Sequence, residues 1–98
     1  MDKINRTFFI KYDGGKLRYD LVPPAVIEEL AKVITFGAEK YAPDNWRECN
    51  DLSRYEAAMM RHFQAYRMGE FHDEETGFPH LAHAMTNLAF LLELTNDE

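Results

Sequence analysis

The sequence predicts an all-α fold: a small bundle of about three main helices with an N-terminal extended arm or hairpin. Three segments repeat apolar residues at intervals of three and four, proline or capping residues precede them, and 98 residues leave no room for a second domain. We therefore treat 1–98 as one domain, with 1–22 as the arm and 23–98 as the helical bundle. A chain this short buries only about 60–65% of its unfolded surface, so we expect a homo-oligomer to complete the bundle.

The arm is the segment from about residue 7 to residue 22. Apolar and polar residues alternate in it on both sides of Asp13-Gly14-Gly15. Alternation around an Asp-Gly turn is typical of a β-hairpin. The same residues also suit an extended arm that wraps the helices or a neighbouring subunit, and the sequence leaves both interpretations open.

The first two helices have recognisable ends. Helix 1 is predicted to begin at Pro23-Pro24, because proline suits the first helical turn, and Pro43 closes the segment. Helix 2 is predicted to begin at Ser53, which has capping-box spacing to Glu56, with Asp51 as a rival cap.

Helix 2 is predicted to stop near Gly69, and helix 3 to run from near Pro79 to near Thr95. Helix 3 is apolar nearly all round, which is typical of a helix buried on most sides. Three helices cannot bury such a helix completely, and this again favours an oligomer.

Charge and cysteine content narrow the function. The net charge of −6 disfavours a DNA or RNA duplex as a partner, although a few converging cations would still bind a small anion. The single cysteine forms no internal disulfide and no zinc cluster. No run approaches the roughly 18 apolar residues of a membrane span, and the N-terminus does not read as a secretory signal. We expect a cytoplasmic protein, in a cell or in a phage-infected host.

Two histidines and an asparagine interrupt helix 3. His80, His83 and Asn87 lie three and four residues apart and therefore share one face. An unpaired buried polar group costs about 1–3 kcal/mol, so these residues need partners. They form either a site that contacts phosphate, base or metal, or a set of satisfied core groups and caps. His62, on the inner face of helix 2, is a candidate to join them.

Basic and aromatic residues offer nucleotide contacts. The glycines of the arm let the backbone approach an anion, although the P-loop spacing is absent and an ordinary turn with solvated lysines explains the same residues. The cations that we expect to neutralise phosphate are Lys11, Lys16, Arg18, Lys40 and Arg61. Trp46 offers a face for base stacking beside Asn45, unless it only plugs the top of the core.

Carboxylates offer ligands for Mg²⁺ or Mn²⁺, which need one or two of them together with phosphate oxygens. Glu39, one turn from the end of helix 1, is the inward candidate. Glu70 and Asp73 belong to an acidic loop that would ordinarily be solvated.

Several ordered blocks resemble one family. Residues 11–24 are similar to the opening of the phage and bacterial family named for dATP/dGTP diphosphohydrolase N-terminal domains, and the similarity continues to about residue 94. The further blocks are 36–41 with 45–47, 53–55, Arg61-His62, Gly69-Glu70, Asp73, 75–83 and Asn87.

The resemblance implies hydrolysis of purine deoxynucleoside triphosphates to monophosphate and pyrophosphate. It also implies kinship with the all-α NTP pyrophosphatases, oligomeric helical bundles that hold magnesium with Glu-x-x-Glu and Glu-x-x-Asp motifs. This chain departs from that pattern, because Glu56 is followed by Met59 and Met60, and His80 and His83 stand where carboxylates would be expected. Either the metal is held differently, by other carboxylates or the histidines, or the chain does not hydrolyse.

The leading hypothesis is accordingly a purine (d)NTP diphosphohydrolase. Three residues are assigned to catalysis, His80, His83 and Glu39, and three to the metal, Glu39 with Glu70 or Asp73. The phosphate and base contacts are those named above, together with His62 and Asn87. The rival hypotheses are a non-catalytic phage protein that sequesters a nucleotide and a nucleotide kinase-type phosphoryl transfer.

Overall fold

A computed structural model describes residues 8–96 of the chain. Its main elements are three α-helices, α1 (Pro24–Lys40), α2 (Ser53–Arg67) and α3 (His80–Thr95). Short 3₁₀ helices at Tyr19–Leu21 and Asn45–Glu48 precede α1 and α2. Within residues 8–96 there is no β-strand, only one isolated bridge. The predicted all-α fold with three main helices is confirmed.

The ends of α2 correct one detail of the sequence analysis. Ser53 is the first helical residue and Leu52 occupies the N-cap position, so the predicted capping box with Glu56 does not form. The carboxylate of Asp51, the rival cap, instead accepts hydrogen bonds from the Ser53 backbone N–H (3.2 Å) and hydroxyl (2.6 Å). Gly69 follows the helix with a φ of 96°, which favours glycine, and ends it as predicted.

Helix α3 lies at the centre and packs against both α2 and α1. The buried residues are His80, Ala82, Ala84 and Thr86, all in its first half. Small residues on this stretch let the neighbouring helices approach closely. No large side chain of the described residues is fully buried, and Leu92 in the second half of α3 is 70% exposed. A single copy therefore leaves much of the apolar surface of α3 uncovered.

The arm does not form the hairpin that its alternation allowed, so that alternative is wrong. Residues 9–18 have no regular secondary structure apart from a turn, in which the Lys16 N–H donates to the Asp13 carbonyl (3.1 Å). The arm does not wrap its own helices either, because its side chains are exposed, 91% for Phe8 and 85% for Tyr12. An arm that serves a neighbouring copy stays a prediction.

The first residues of the arm and the N-terminal segment judged for a secretory signal, 1–7, lie outside the described residues. Among the helices of the part that is described, none is long and apolar enough to cross a membrane.

Candidate functional site

A cleft of about 410 Å³ opens between α1 and α3 and is bordered by the Asn45–Glu48 turn and the loop before α3. Its volume falls within the range of small-molecule sites. Seven of the residues that line it had been selected from the sequence, namely Lys40, Asn45, Trp46, His62, Asp73, His83 and Asn87. Other polar residues that line it, among them Asp44, Tyr55 and Thr76, had not.

At one end of the cleft, Thr76 connects a histidine to a carboxylate. The Thr76 hydroxyl lies 2.9 Å from Asp73 Oδ2 and 2.7 Å from His83 Nε2. A hydroxyl has one proton to donate, and the carboxylate can only accept, so Thr76 donates to Asp73 and accepts from His83 Nε2–H. This arrangement assigns the proton of the neutral His83 ring to Nε2 and leaves Nδ1 as a proton acceptor.

The loop before α3 holds this carboxylate in place. The Asp73 N–H donates to the Phe78 carbonyl (2.8 Å), and the Gly77 N–H donates back to the Asp73 carbonyl (2.7 Å). Gly77 has a φ of 77°, a conformation that glycine adopts without strain. The Thr76 N–H also donates to Asp73 Oδ2 (2.9 Å). Asp73 is therefore half-buried and fixed, although the acidic loop was expected to be an ordinary solvated surface.

A second histidine pair lies beside this network. His62 Nδ1 on α2 is 2.8 Å from His80 Nδ1 on α3, so one of the two nitrogens donates to the other. The His62 ring also stacks on the His83 ring, with centroids 4.4 Å apart. His80 Nε2 lies 3.3 Å from a carboxylate oxygen of Glu70, yet it has no hydrogen-bond partner among residues 8–96. The predicted meeting of His62 with the α3 histidines is thus observed.

Burial sets the charge of these groups. Desolvation lowers the pKa of His62 and His83 below the ordinary value, and the neighbouring imidazoles lower the pKa of His62 further. For Asp73, burial opposes ionisation, but the hydrogen bonds from Thr76 outweigh it and lower the pKa of the carboxyl. At neutral pH the site therefore presents the neutral imidazoles of His62 and His83 beside the ionised carboxylate of Asp73. These groups are able to accept protons or to ligate a cation.

The other end of the cleft is aromatic. The Trp46 ring stacks on Phe90 with centroids 4.4 Å apart, and the Arg47 guanidinium lies over Trp46 at 4.4 Å. Two groups cannot share the space above one face, so Arg47 covers the face that Phe90 leaves free. Trp46 therefore packs as a plug of the small core in this state, and base stacking on it requires Arg47 to move. Phe90 follows His83 by seven residues, about 10 Å along α3.

Other predicted site residues lie elsewhere. Lys11, Lys16 and Arg18 are exposed on the arm, and Arg18 pairs with Asp20 at 2.8 Å. Arg61 and Glu70 border a separate shallow surface on α2, and Glu39 is exposed and does not line the cleft.

Asn87 lines the cleft, but its amide donates to the His83 carbonyl (2.8 Å). In the part of the chain that is described, the one group of three potential metal ligands is His62, Asp73 and His80, not a set that contains Glu39 or Glu70.

The sequence analysis missed Thr76 and Arg47. The spacing Asp73-x-x-Thr76 is a signal for a side-chain-capped turn and could have indicated that Thr76 faces the carboxylate. No sequence signal indicates that Arg47 covers Trp46, since this depends on side-chain conformation.

The fold and the site together define a small helical domain with a largely apolar cleft that His62 and His83 line at one end. The chain belongs to the dATP/dGTP diphosphohydrolase, N-terminal family, whose sequence profile matches residues 10–98. It is 38% identical over 88 residues to a "dATP/dGTP diphosphohydrolase" of Salmonella phage PMBT28. The match covers 90% of this chain but only 30% of that phage protein. No solved structure matches the chain.

Proposed function

We propose that this chain binds a purine deoxynucleoside triphosphate in the cleft and hydrolyses it to the monophosphate and pyrophosphate. The observation that carries the proposal is the Asp73–Thr76–His83 network at one end of a nucleotide-sized cleft. Membership of the family, and the name of the phage relative, support the choice of substrate.

In this proposal His83 accepts the proton of the attacking water. Its Nδ1 carries no proton because Nε2–H donates to Thr76, and its lowered pKa keeps the ring neutral at pH 7. Water attacks the α-phosphorus, the bond from that phosphorus to the bridging oxygen breaks, and pyrophosphate leaves with the electron pair. Asp73, 3.9 Å from His83 Nε2, stabilises the imidazolium that forms.

The remaining cleft residues bind and orient the nucleotide. Lys40 is the cation that we assign to phosphate, because it lines the cleft whereas Arg61 lies outside it. Asn45 and Trp46 are the proposed base contacts. Trp46 stacks on Phe90, which lies about 10 Å along α3 from His83. In this proposal Arg47 swings away from Trp46 as the base arrives, which exchanges one cation–π contact for stacking.

The magnesium cage that the resemblance implies does not fit these residues. Glu39 and Glu56 are exposed, and His80 and His83 occupy the positions on α3 where carboxylates would be required. No step of the proposed reaction is therefore assigned to magnesium held in that way.

Product analysis tests the proposal. The protein would be incubated with Mg²⁺ or Mn²⁺ and, in turn, dATP, dGTP, ATP, GTP, dCTP and dTTP, and the products separated by chromatography. We expect monophosphate and pyrophosphate from the purine deoxynucleotides. His72→Ala is the matched control, because His72 is exposed and is the one histidine that does not contact the group formed by His62, His80 and His83. Intact nucleotide in every reaction would reject hydrolysis.

The missing carboxylate cage favours a second candidate, a nucleotide-binding protein without catalysis. It uses the same cleft and predicts a tightly bound nucleotide that is unchanged after long incubation. Multiple turnovers in the same experiment would exclude it.

We also propose that the working form is a homo-oligomer. Large apolar side chains are exposed on all three helices as well as on the arm, among them Ile27, Phe63, Leu88 and Leu92. Exposed apolar surface favours association, because each Å² of it that an interface buries lowers the free energy of the assembly by about 25 cal/mol. Sedimentation velocity tests the proposal: a species larger than 11.5 kDa is expected, and a monomer at micromolar concentration would contradict it.

A further inference from the structure

We infer that His62, Asp73 and His80 form a binding site for a first-row transition-metal ion such as Zn²⁺. The inference deepens the proposed function, since it names the ion of the same site, but the binding that it predicts is measured without nucleotide.

The donor atoms already converge. One ligand atom from each of the three residues lies within 4.8 Å of the other two, and the two histidine Nδ1 atoms are 2.8 Å apart. Ligands about 2.0–2.1 Å from a tetrahedral ion are separated by roughly 3.3 Å. The histidine pair therefore needs to open by only about 0.5 Å to receive an ion, which side-chain rotation can supply.

The chemistry of the donors selects the ion. Two of the three donors are imidazole nitrogens, which suit Zn²⁺, Fe²⁺, Ni²⁺ and Cu²⁺, whereas Mg²⁺ takes oxygen ligands in near-ideal octahedra. The site therefore prefers a transition ion to Mg²⁺.

His80 supplies an independent observation. It is 5% exposed, and its Nε2 lacks a hydrogen-bond partner among residues 8–96, although Glu70 Oε2 is 3.3 Å away. If Nδ1 ligates an ion, Nε2 carries the proton and faces the Glu70 carboxylate. A ligating histidine usually donates its other N–H to such an acceptor, so Glu70 would position the ligand rather than bind the ion.

The other groups are compatible with an ion. The Thr76 N–H and hydroxyl both donate to Asp73 Oδ2, and this leaves Oδ1 for the ion. Protons balance as well: one Nδ1 of the histidine pair must carry a proton when no ion is bound, and that proton moves to Nε2 of the same ring.

Titration of the full-length protein with Co²⁺ and Zn²⁺ tests the inference. Visible absorption by Co²⁺ and calorimetry with Zn²⁺ should both report one ion per chain, and Mg²⁺ at millimolar concentration should not displace it. We expect His62→Ala and Asp73→Asn each to weaken metal binding at least tenfold. Losing a group that only hydrogen-bonds to a metal ligand already weakens binding by about 10–100-fold, and losing a ligand itself should cost no less. His72→Ala should bind as the wild type does.

Several outcomes would overturn the inference. Failure of the wild type to saturate with either ion, displacement by Mg²⁺, or undiminished binding by a folded His62→Ala protein would each do so. The wild-type spectrum decides the matter if the variants do not fold. Binding of the metal ion without hydrolysis of nucleotide would support this inference and reject the proposed enzyme. Hydrolysis of nucleotide without binding of the metal ion would reject this inference and support the proposed enzyme.

Discussion

Polar residues have opposite surroundings in two regions of the molecule, the start of α3 and the N-terminal arm. At the start of α3, His80 and His83 meet His62, Asp73 and Thr76 in one half-buried network of short hydrogen bonds. On the arm, the cations Lys11, Lys16 and Arg18 are exposed, and of these Arg18 pairs only with its near neighbour Asp20.

The difference shows that a single chain forms the histidine network by itself but leaves the arm without contacts that bury it. Helical spacing and packing fix the histidine network, because α2 and α3 hold both sides of it. The arm has neither regular structure nor contacts that bury it, so any part that it plays in a site depends on a partner outside the single chain. The helical periodicity of the sequence predicts the histidine network, but it does not predict what the arm contacts.

The largest effect is expected for His83→Ala. Removing the proposed proton acceptor should lower kcat by about 10²–10⁴-fold, the usual contribution of a general base. Helical circular dichroism should be retained, because His83 lies at the cleft and not in the small core of Ala82 and Ala84. A folded variant with full activity would remove His83 from the mechanism.

Next in size is the effect of Thr76→Val, which keeps the shape of the side chain and removes its hydroxyl. His83 and Asp73 would both lose a partner, so the free energy of unfolding should fall by about 1–3 kcal/mol. Thr95→Val is the matched control, since its hydroxyl bonds only to exposed helix carbonyls and its loss should cost under about 0.5 kcal/mol. If urea titrations showed equal losses for Thr76→Val and Thr95→Val, the Asp73–Thr76–His83 network would contribute nothing to the free energy of unfolding.

The combined variant of the arm, with Lys11, Lys16 and Arg18 each replaced by Gln, tests whether the arm serves a site. We expect kcat/KM to fall about tenfold, which corresponds to about 1.4 kcal/mol, while the melting temperature is unchanged because the three side chains are exposed. Mixing this variant with His83→Ala should restore some activity if the arm acts on a neighbouring copy. An unaltered kcat/KM would mean that the arm cations do not contact the substrate.

The smallest effect concerns pH. The folded-state pKa values of His62 and His83 lie below the ordinary 6.5, so below pH 6.5 the unfolded chain binds more protons than the folded one. The stability that their neutrality contributes is complete above pH 6.5 and declines as the pH falls from there toward the folded pKa values. Urea titrations at pH 7.5 and 5.5 should show the decline, and it should be smaller in His83→Gln. Greater stability at pH 5.5 would contradict the burial argument.

Most of the fold could be predicted from the sequence, and the reasons are local. Prolines and glycines placed the helix ends, and spacings of three and four placed His80, His83 and Asn87 on one face. Leu52 occupies the N-cap position of α2, and the Asp51 carboxylate rather than the Ser53 hydroxyl accepts from a backbone N–H of the first turn. Which side chain reaches a free N–H depends on conformation, and spacing alone does not decide it.

The candidate site could be predicted only in part. His62 meets His80 and His83 as the sequence analysis proposed, whereas Asp73 joins them from a loop that was expected to be solvated. Glu39 stays outside the cleft because it projects from the exposed side of α1. The covering of Trp46 by Arg47 and the bridging by Thr76 arise from side-chain conformations in the folded chain. Such contacts follow from packing and not from any repeat in the sequence.

The central claim is that the histidine end of the cleft acts on a nucleotide. The most direct measurement is chromatographic product analysis of dATP and dGTP with the wild type, His83→Ala and His72→Ala side by side. The account predicts monophosphate and pyrophosphate from the wild type and His72→Ala and almost none from His83→Ala. Intact nucleotide with all three proteins, or equal hydrolysis by all three, would contradict it.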